Sequence, residues 1–248
     1  MKKIICAIAM LSVAFGFASC NKGGQTPDTP KIQKRLKMCG DEWDKYVFTY
    51  NQDGTLNLVN RNEGERTWTF TWAGKVGTAK YVKEGEALGD WVFTLGDNGY
   101  LATFADEWED TYGFTYDSNG YLLKITRPDR ENAVKCNNSW KNGDLEKWSR
   151  FKDDGTEEWK LQSFLADENV AGIFADVTDK TDVPRWVFEL GLLGKPSKHL
   201  LDEALWEGST SKATHQYEKD EDGFVTKVSK YYDGELDQTF EYEWETIK

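Results

Sequence analysis

The sequence predicts an all-β fold: an antiparallel up-and-down meander of about fourteen strands, curled into a barrel or half-barrel, with a short helical insert. Three observations predict it. A phrase of alternating aromatic residues recurs along the chain, a polar turn closed by glycine follows most copies, and one long stretch, 162–210, breaks the period.

The phrase is YVFTY at 46–50, WTFTW at 68–72, WVFTL at 91–95 and YGFTY at 112–116, with starts 22, 23 and 21 residues apart. Weaker copies carry KNGD after Cys136, KDDG after Phe151 and DEDG after Gln216, and QTFEYEW at 238–244 closes the series. A repeat of this length is one supersecondary unit. Alternation with β-branched and aromatic residues gives strands, and Asp/Asn clusters ending in Gly give the turns between them. Gly54, Gly99, Gly120, Gly155 and Gly223 stand where such turns need positive φ.

Each strand has one apolar face. Phe48, Tyr50, Phe70, Trp72, Trp91, Phe93, Phe114, Tyr116, Phe240, Tyr242 and Trp244 share one side. Thr49, Thr69, Thr71, Thr94, Thr115, Glu241 and Glu243 take the other. Eight strands enclose space that side chains just fill, so fourteen enclose more. The sheet then flattens into a sandwich-like core, is plugged by the 162–210 insert, or keeps a cavity. In the last case Trp68, Trp72, Trp91, Tyr116 and Trp244 are the candidate ligand-lining aromatics, suited to stacking on sugar faces or apolar ligands. Within the insert, Ala166–Asp176 and Val183–Leu193 have helical spacing, which predicts two short helices packed on the sheet.

The N-terminus reads as an address. Lys2 and Lys3 precede an apolar run from Ile4 to Phe17, too short to span a bilayer, and small residues then lead to Cys20. This has the anatomy of a bacterial lipoprotein signal over 1–19, with Cys20 acylated and 20–30 (CNKGGQTPDTP) a flexible tether to a single domain at 31–248. Without Lys2 and Lys3 the balance is 29 Lys+Arg against 43 Asp+Glu, a net charge of −14. That field excludes nucleic acid as a bulk partner. The partners expected are the membrane, through the lipid anchor, and a glycan, a lipid or an envelope protein.

Chemistry is sparse. His199 and His215 are the two histidines, and no zinc spacing or HExxH occurs, so no metal and no cofactor is expected. DEDG at 220–223 fails as a calcium loop, because counting from Glu218 the twelfth position is Ser229. Cys39 and Cys136 either pair in an oxidising compartment or stay as buried thiols. Paired carboxylates for glycoside hydrolysis exist by count alone, at Glu157-Glu158 and around Glu107-Trp108-Glu109. The expectation is therefore a protein that is not an enzyme, with a binding or scaffolding role. The alternatives are a glycan- or lipid-binding module using an aromatic interior, and a hydrolase.

The units YVFTYNQDGTLNLV, YGFTYDSNGYLLKIT and QYEKDEDGFVTKVSK, together with GLLGKPSK at 191–198, resemble an uncharacterised family of Bacteroidetes lipoproteins described as porin-like in fold. The resemblance covers nearly all of 31–248; the copy containing Cys136 and Asn137 departs from the aromatic pattern. It implies an outer-membrane lipoprotein and supplies no catalytic residues. In such bacteria, export to the cell surface is associated with acidic residues just after the lipidated Cys. Asn21 to Gln25 carries none, so the periplasm-facing side is expected.

Overall fold

A computed structural model describes residues 33–128, 134–152, 154–175 and 183–247. The signal, the tether and Cys20 lie outside these residues. Sixteen strands form one closed antiparallel barrel in sequential order. They are β1 (Lys34–Gly40), β2 (Lys45–Tyr50), β3 (Leu56–Arg61), β4 (Arg66–Ala73), β5 (Val76–Lys83), β6 (Glu86–Leu95), β7 (Leu101–Ala105) and β8 (Thr111–Tyr116). The second half runs β9 (Leu122–Thr126), β10 (Val134–Lys141), β11 (Asp144–Phe151), β12 (Glu157–Glu168), β13 (His199–Trp206), β14 (Lys212–Lys219), β15 (Val225–Tyr232) and β16 (Glu235–Thr246). β16 pairs back onto β1, from Thr246 against Lys34 to Glu241 against Gly40.

The meander is as expected, but the count among the described residues is sixteen rather than about fourteen, and of the barrel and half-barrel alternatives the closed barrel forms. Part of the difference lies in the insert. β12 runs on to Glu168, and β13 lies wholly inside 162–210, paired with β12 on one side and β14 on the other. Of the two expected helices, the first is replaced by the end of β12 and a turn in which Gly172 N–H donates to Asn169 C=O (3.1 Å). Asp176 lies outside the described residues. The second is a single short helix, α1 (Arg185–Glu189).

The glycine positions follow the turn chemistry. Gly54, Gly99, Gly120, Gly155 and Gly223 all have φ between 81° and 89°. In the DSNG turn, Asp117 Oδ1 accepts the N–H of Asn119 and of Tyr121, both at 2.9 Å, and Gly120 N–H returns to Asp117 C=O.

Strand alternation sorts the side chains by face. Phe48, Phe70, Trp91, Phe93, Phe114 and Tyr242 are buried in the interior. Thr49, Thr69, Thr71, Thr115, Glu241 and Glu243 are exposed on the outer wall, beside Lys37, Lys80 and Lys124. The interior is thus mainly apolar, with a few buried polar side chains such as Lys160 and Gln162, and the outer wall is mainly polar, with scattered exposed aliphatics such as Val92 and Leu161. Among the described residues no helix is long and apolar enough to cross a membrane.

The two mouths differ in construction. The near mouth holds the start of β1, the end of β16 and the connection 169–198 between β12 and β13. The far mouth holds the turns 41–44, 62–65, 84–85, 106–110 and 233–234.

Candidate functional site

The repeat has a mechanical explanation at the near mouth. The β11/β12 ladder ends short of this mouth at Lys147/Leu161, and Phe164, which has no donor, stands three residues beyond it. Six other strand pairs also end their ladders short of this mouth. They are β1/β2, β3/β4, β7/β8, β9/β10, β13/β14 and β15/β16. Beyond the last ladder pair of each of these six, an aromatic polar tip donates to a backbone carbonyl of the preceding strand. Tyr50 Oη bonds Leu36 O (2.6 Å), Trp72 Nε1 bonds Leu56 O (2.8 Å) and Tyr116 Oη bonds Leu101 O (2.8 Å). Trp140 Nε1 bonds Leu122 O (2.8 Å), Tyr217 Oη bonds Leu201 O (2.6 Å) and Trp244 Nε1 bonds Val225 O (2.7 Å).

The geometry is the same each time. The acceptor lies two residues, and the donor three residues, beyond the last ladder pair, as with Thr103/Gly113 and then Leu101/Tyr116. Each acceptor also adjoins a register slip in its ladder with the strand on its other side. The splayed pair leaves a buried carbonyl without a ladder partner, and the aromatic tip satisfies it. Three of the five sequence-predicted lining aromatics, Trp72, Tyr116 and Trp244, are therefore wall ties.

The other two, Trp68 and Trp91, face inward and are covered. Trp186 of α1, with 0% exposure, stacks on Trp91 (centroids 6.5 Å, 15°) and tilts onto Trp68 at 5.6 Å and Phe93 at 5.8 Å. Trp68 also stacks on Tyr81 at 5.1 Å. Trp91 Nε1 donates to Glu107 Oε2 at 2.5 Å. Of the three fates open to a wide barrel, the described residues show the plugged one, and Trp186 occupies the space beside Trp68 and Trp91 that a hollow would have left.

The plug is held by polar contacts as well as by packing. Arg185 Nη2 lies 2.9 Å from Glu189 Oε1 and 3.0 Å from Tyr242 Oη on β16, and its guanidinium stacks 3.6 Å over Phe240. Tyr242 Oη also donates to Glu189 at 3.2 Å. Burial and the adjacent Glu189 carboxylate push the Tyr242 hydroxyl well above its ordinary range. After α1 the chain crosses the mouth, touching the wall every third residue. Leu192 C=O accepts Leu101 N–H (2.9 Å), Lys195 N–H donates to Gly120 C=O (2.9 Å), and Lys198 N–H donates to Gly143 C=O (2.9 Å). Pro196, which has no N–H to offer, stands between two of these contacts. Gly194, at φ 96°, passes so close that a Cβ would lie 2.6 Å from the Gly120 oxygen. GLLGKPSK, the most specific phrase of the sequence, is thus the strap that seats the plug.

The remaining candidates are dispersed. Cys39 on β1 and Cys136 on β10 are separate, fully buried free thiols, so the disulfide alternative is not made. Burial pushes both thiols well above their ordinary range, which makes them poor nucleophiles. The copy around Cys136, which departs from the aromatic pattern, forms β10, with slips at Val134/Cys136 and Ser139/Trp140. His199 Nδ1 lies 2.8 Å from Asp144 Oδ2, tying the plug exit to β11, and His215 Nδ1 lies 3.2 Å from Asp202 O. Glu157 and Glu158 are sequence neighbours on a strand, so their side chains take opposite faces. Hydrogen bonds from Ser149 and Lys147 hold Glu157, and those from Lys152 and Arg150 hold Glu158, below the usual carboxylate range. A general acid needs the opposite shift.

Near the plug base is an enclosed space of about 20 Å³ beside Gln162, Asn169 and His199, room for roughly one water. An open recess of about 470 Å³ lies by the β13/β14 splay, beside Leu165, Leu200, His215 and Tyr217. Among the described residues no group of three His, Cys, Asp or Glu side chains is placed to hold a metal.

No family model and no curated protein matches the chain. Among solved structures it is similar to a porin-like protein from Bacteroides uniformis ATCC 8492, with TM-score 0.61 and 20% identity, over 88% of this chain and 98% of that one. A porin-like protein from Bacteroides vulgatus ATCC 8482 aligns over 87% of this chain and 100% of that one, at 12% identity and TM-score 0.46. The first likeness shows a shared barrel fold.

Proposed function

We propose that the chain is a lipid-anchored lipoprotein of the cell envelope with a non-catalytic binding or scaffolding role. In this reading the barrel is a rigid platform on a tether and not a conduit. The observation that carries it is the filled interior. Trp186 occupies the space beside Trp68 and Trp91, and the 191–198 strap crosses the mouth.

The outer wall supports the same reading. A spanning barrel presents an apolar band with aromatic girdles to lipid. Here threonines, lysines and glutamates make up most of that face, with only scattered exposed aliphatics such as Val47, Val92, Leu161 and Leu205, and most of the strand aromatics point inward. The anchor is assigned to Cys20 and the tether to 20–30. β1 begins at the near mouth, so in this reading the tether joins the barrel on that side and the far mouth is the one turned away from it. The periplasm-facing leaflet is preferred, because Asn21 to Gln25 carries no acid.

Two measurements test this. Cells expressing the full chain and fed an alkynyl fatty acid should label it, and Cys20→Ser should abolish the label. Purified protein added to planar bilayers should give no conductance. Label retained in Cys20→Ser, or stepwise conductance, overturns the proposal.

A further inference from the structure

The far mouth carries two similar loops. Asp41-Glu42-Trp43-Asp44 joins β1 to β2, and Asp106-Glu107-Trp108-Glu109-Asp110 joins β7 to β8. In each, the first aspartate folds the loop through one oxygen. Asp41 Oδ1 accepts the N–H of Trp43 and of Asp44, both at 2.7 Å. Asp106 Oδ1 accepts the N–H of Trp108 and of Asp110, both at 3.0 Å. In each, the indole is left in solvent. Trp43 is 73% exposed and Trp108 72%, the two most exposed large apolar side chains among the described residues. Every other tryptophan is at least partly buried.

The two loops are the ends of one arc. Asn62 Nδ2 donates to Trp43 O at 2.7 Å, joining the first loop to the β3/β4 turn. Glu84 N–H donates to Glu65 O at 2.7 Å, joining that turn to the β5/β6 turn. A Cβ at Gly89 would lie 3.0 Å from the Glu107 side chain, which brings β6 against the second loop. Over 41–45, 61–66, 83–90 and 106–110 the arc holds twelve carboxylates and four cationic side chains. Glu42, Glu63, Glu84, Glu86, Asp90 and Glu109 are exposed, as is Leu88 between the two tryptophans.

We propose that this arc is a docking surface for a cationic, arginine- or lysine-rich polypeptide segment. Indole is the best aromatic face for a cation, and guanidinium stacks on it as well. Surrounding carboxylates draw a cationic partner in and pair with it at the rim. Two exposed indoles on similar aspartate-folded loops provide separated anchors within one acidic field. The orientation also fits, since this mouth is the one turned away from the tether. In that respect the inference rests on the tethered-platform reading.

The test uses the full chain in non-ionic detergent and fluorescein-labelled deca-arginine at 0.15 M salt, read by anisotropy. Saturable binding is expected. Trp43→Ala and Trp108→Ala should each weaken it about threefold to tenfold, and the double variant more than either. Glu42→Gln with Glu109→Gln should reduce its salt dependence. Melting temperature monitors folding. Footprinting of the unaltered chain with hydroxyl radicals, where the peptide should protect Trp43 and Trp108, gives an answer that no substitution disturbs.

Three results overturn the proposal: no binding at this salt, binding undiminished in the double variant with neither indole protected, or Trp-dependent capture of a neutral glucan hexasaccharide without capture of the peptide. None of them bears on the Cys20 label or on the absence of conductance, so the two proposals fail separately.

Discussion

The two mouths of the barrel use aromatic residues in opposite ways. At the near mouth, Tyr50, Trp72, Tyr116, Trp140, Tyr217 and Trp244 point inward, and each polar tip satisfies a carbonyl that a splayed strand pair has exposed. At the far mouth, Trp43 and Trp108 point into solvent from loops that fold without them. The difference lies in the ladders. On the far side short turns join the splayed pairs β1/β2, β3/β4 and β7/β8, and pairing runs close to the turn. On the near side those pairs open, and the opening admits the plug. β5/β6 sharpens the contrast. Its ladder reaches Val76/Thr94, with Leu95 N–H continuing it to Lys75 O, and the position of the aromatic tie holds an ordinary leucine, Leu95.

This comparison can be broken by substitution. The largest effect belongs to the plug. Trp186→Ala removes a fully buried indole from among Trp68, Phe70, Trp91 and Phe93, and should cost about 3–5 kcal/mol in urea unfolding. A loss under 1 kcal/mol would mean that the plug does not fill the barrel. Next comes a single tie. Tyr116→Phe keeps the ring and removes the donor to Leu101 O, so about 0.5–1.5 kcal/mol should be lost. Equal stability would show that the carbonyl finds another partner and that the tie is incidental.

Acid tests the turns and not the ties. Hydrogen bonds from the Thr55 hydroxyl and backbone lower the Asp53 carboxyl, and the Thr156 backbone and hydroxyl lower Asp154. A folded pKa below the unfolded value of about 3.9 gives stability that is present above that pH and is lost as the pH falls through the folded value. Melting temperature should therefore hold from neutral pH to about 5 and decline below about 4. The loss should be modest, because these groups are solvent-exposed. The aromatic ties carry no charge in this range and should persist. A decline that begins near neutral pH would point to a titrating group other than these carboxylates.

The smallest effect is predicted at the far mouth. Trp43→Ala or Trp108→Ala should change stability by no more than about 0.5 kcal/mol, since neither indole enters the interior. A drop comparable to that of Tyr116→Phe would place these residues in the fold and erase the contrast between the mouths.

The strand repeat was legible because alternation and Asp/Asn-Gly turns are local signals. The tie could also have been read. The last aromatic of six units is always Tyr or Trp, each with a donor, whereas the inward residue two places earlier is often Phe, as at Phe48, Phe70 and Phe114. β13 was not legible. HLLDEALW places leucines at 200, 201 and 205 and alanine at 204, a spacing that suits a helix as well as a strand. Pairing with β12 and β14 decides the outcome. The filling of the barrel was beyond sequence for the same reason. Trp186 meets Trp68 and Trp91 across more than ninety intervening residues, and only the folded wall brings them together.

The β1/β16 seam gives the barrel a late step in its assembly. Arg35 meets Glu245 and Lys37 meets Glu243 across 210 and 206 residues of chain. Loop-closure entropy must be met before any of that ladder forms, which makes it a slow, non-local event in folding. Until β16 leaves the ribosome, β1 and β15 each present an unpaired edge able to recruit a strand from another molecule. A growing chain of this protein therefore needs its edges shielded through nearly the whole of synthesis, and a chain cut before Glu235 would keep them open.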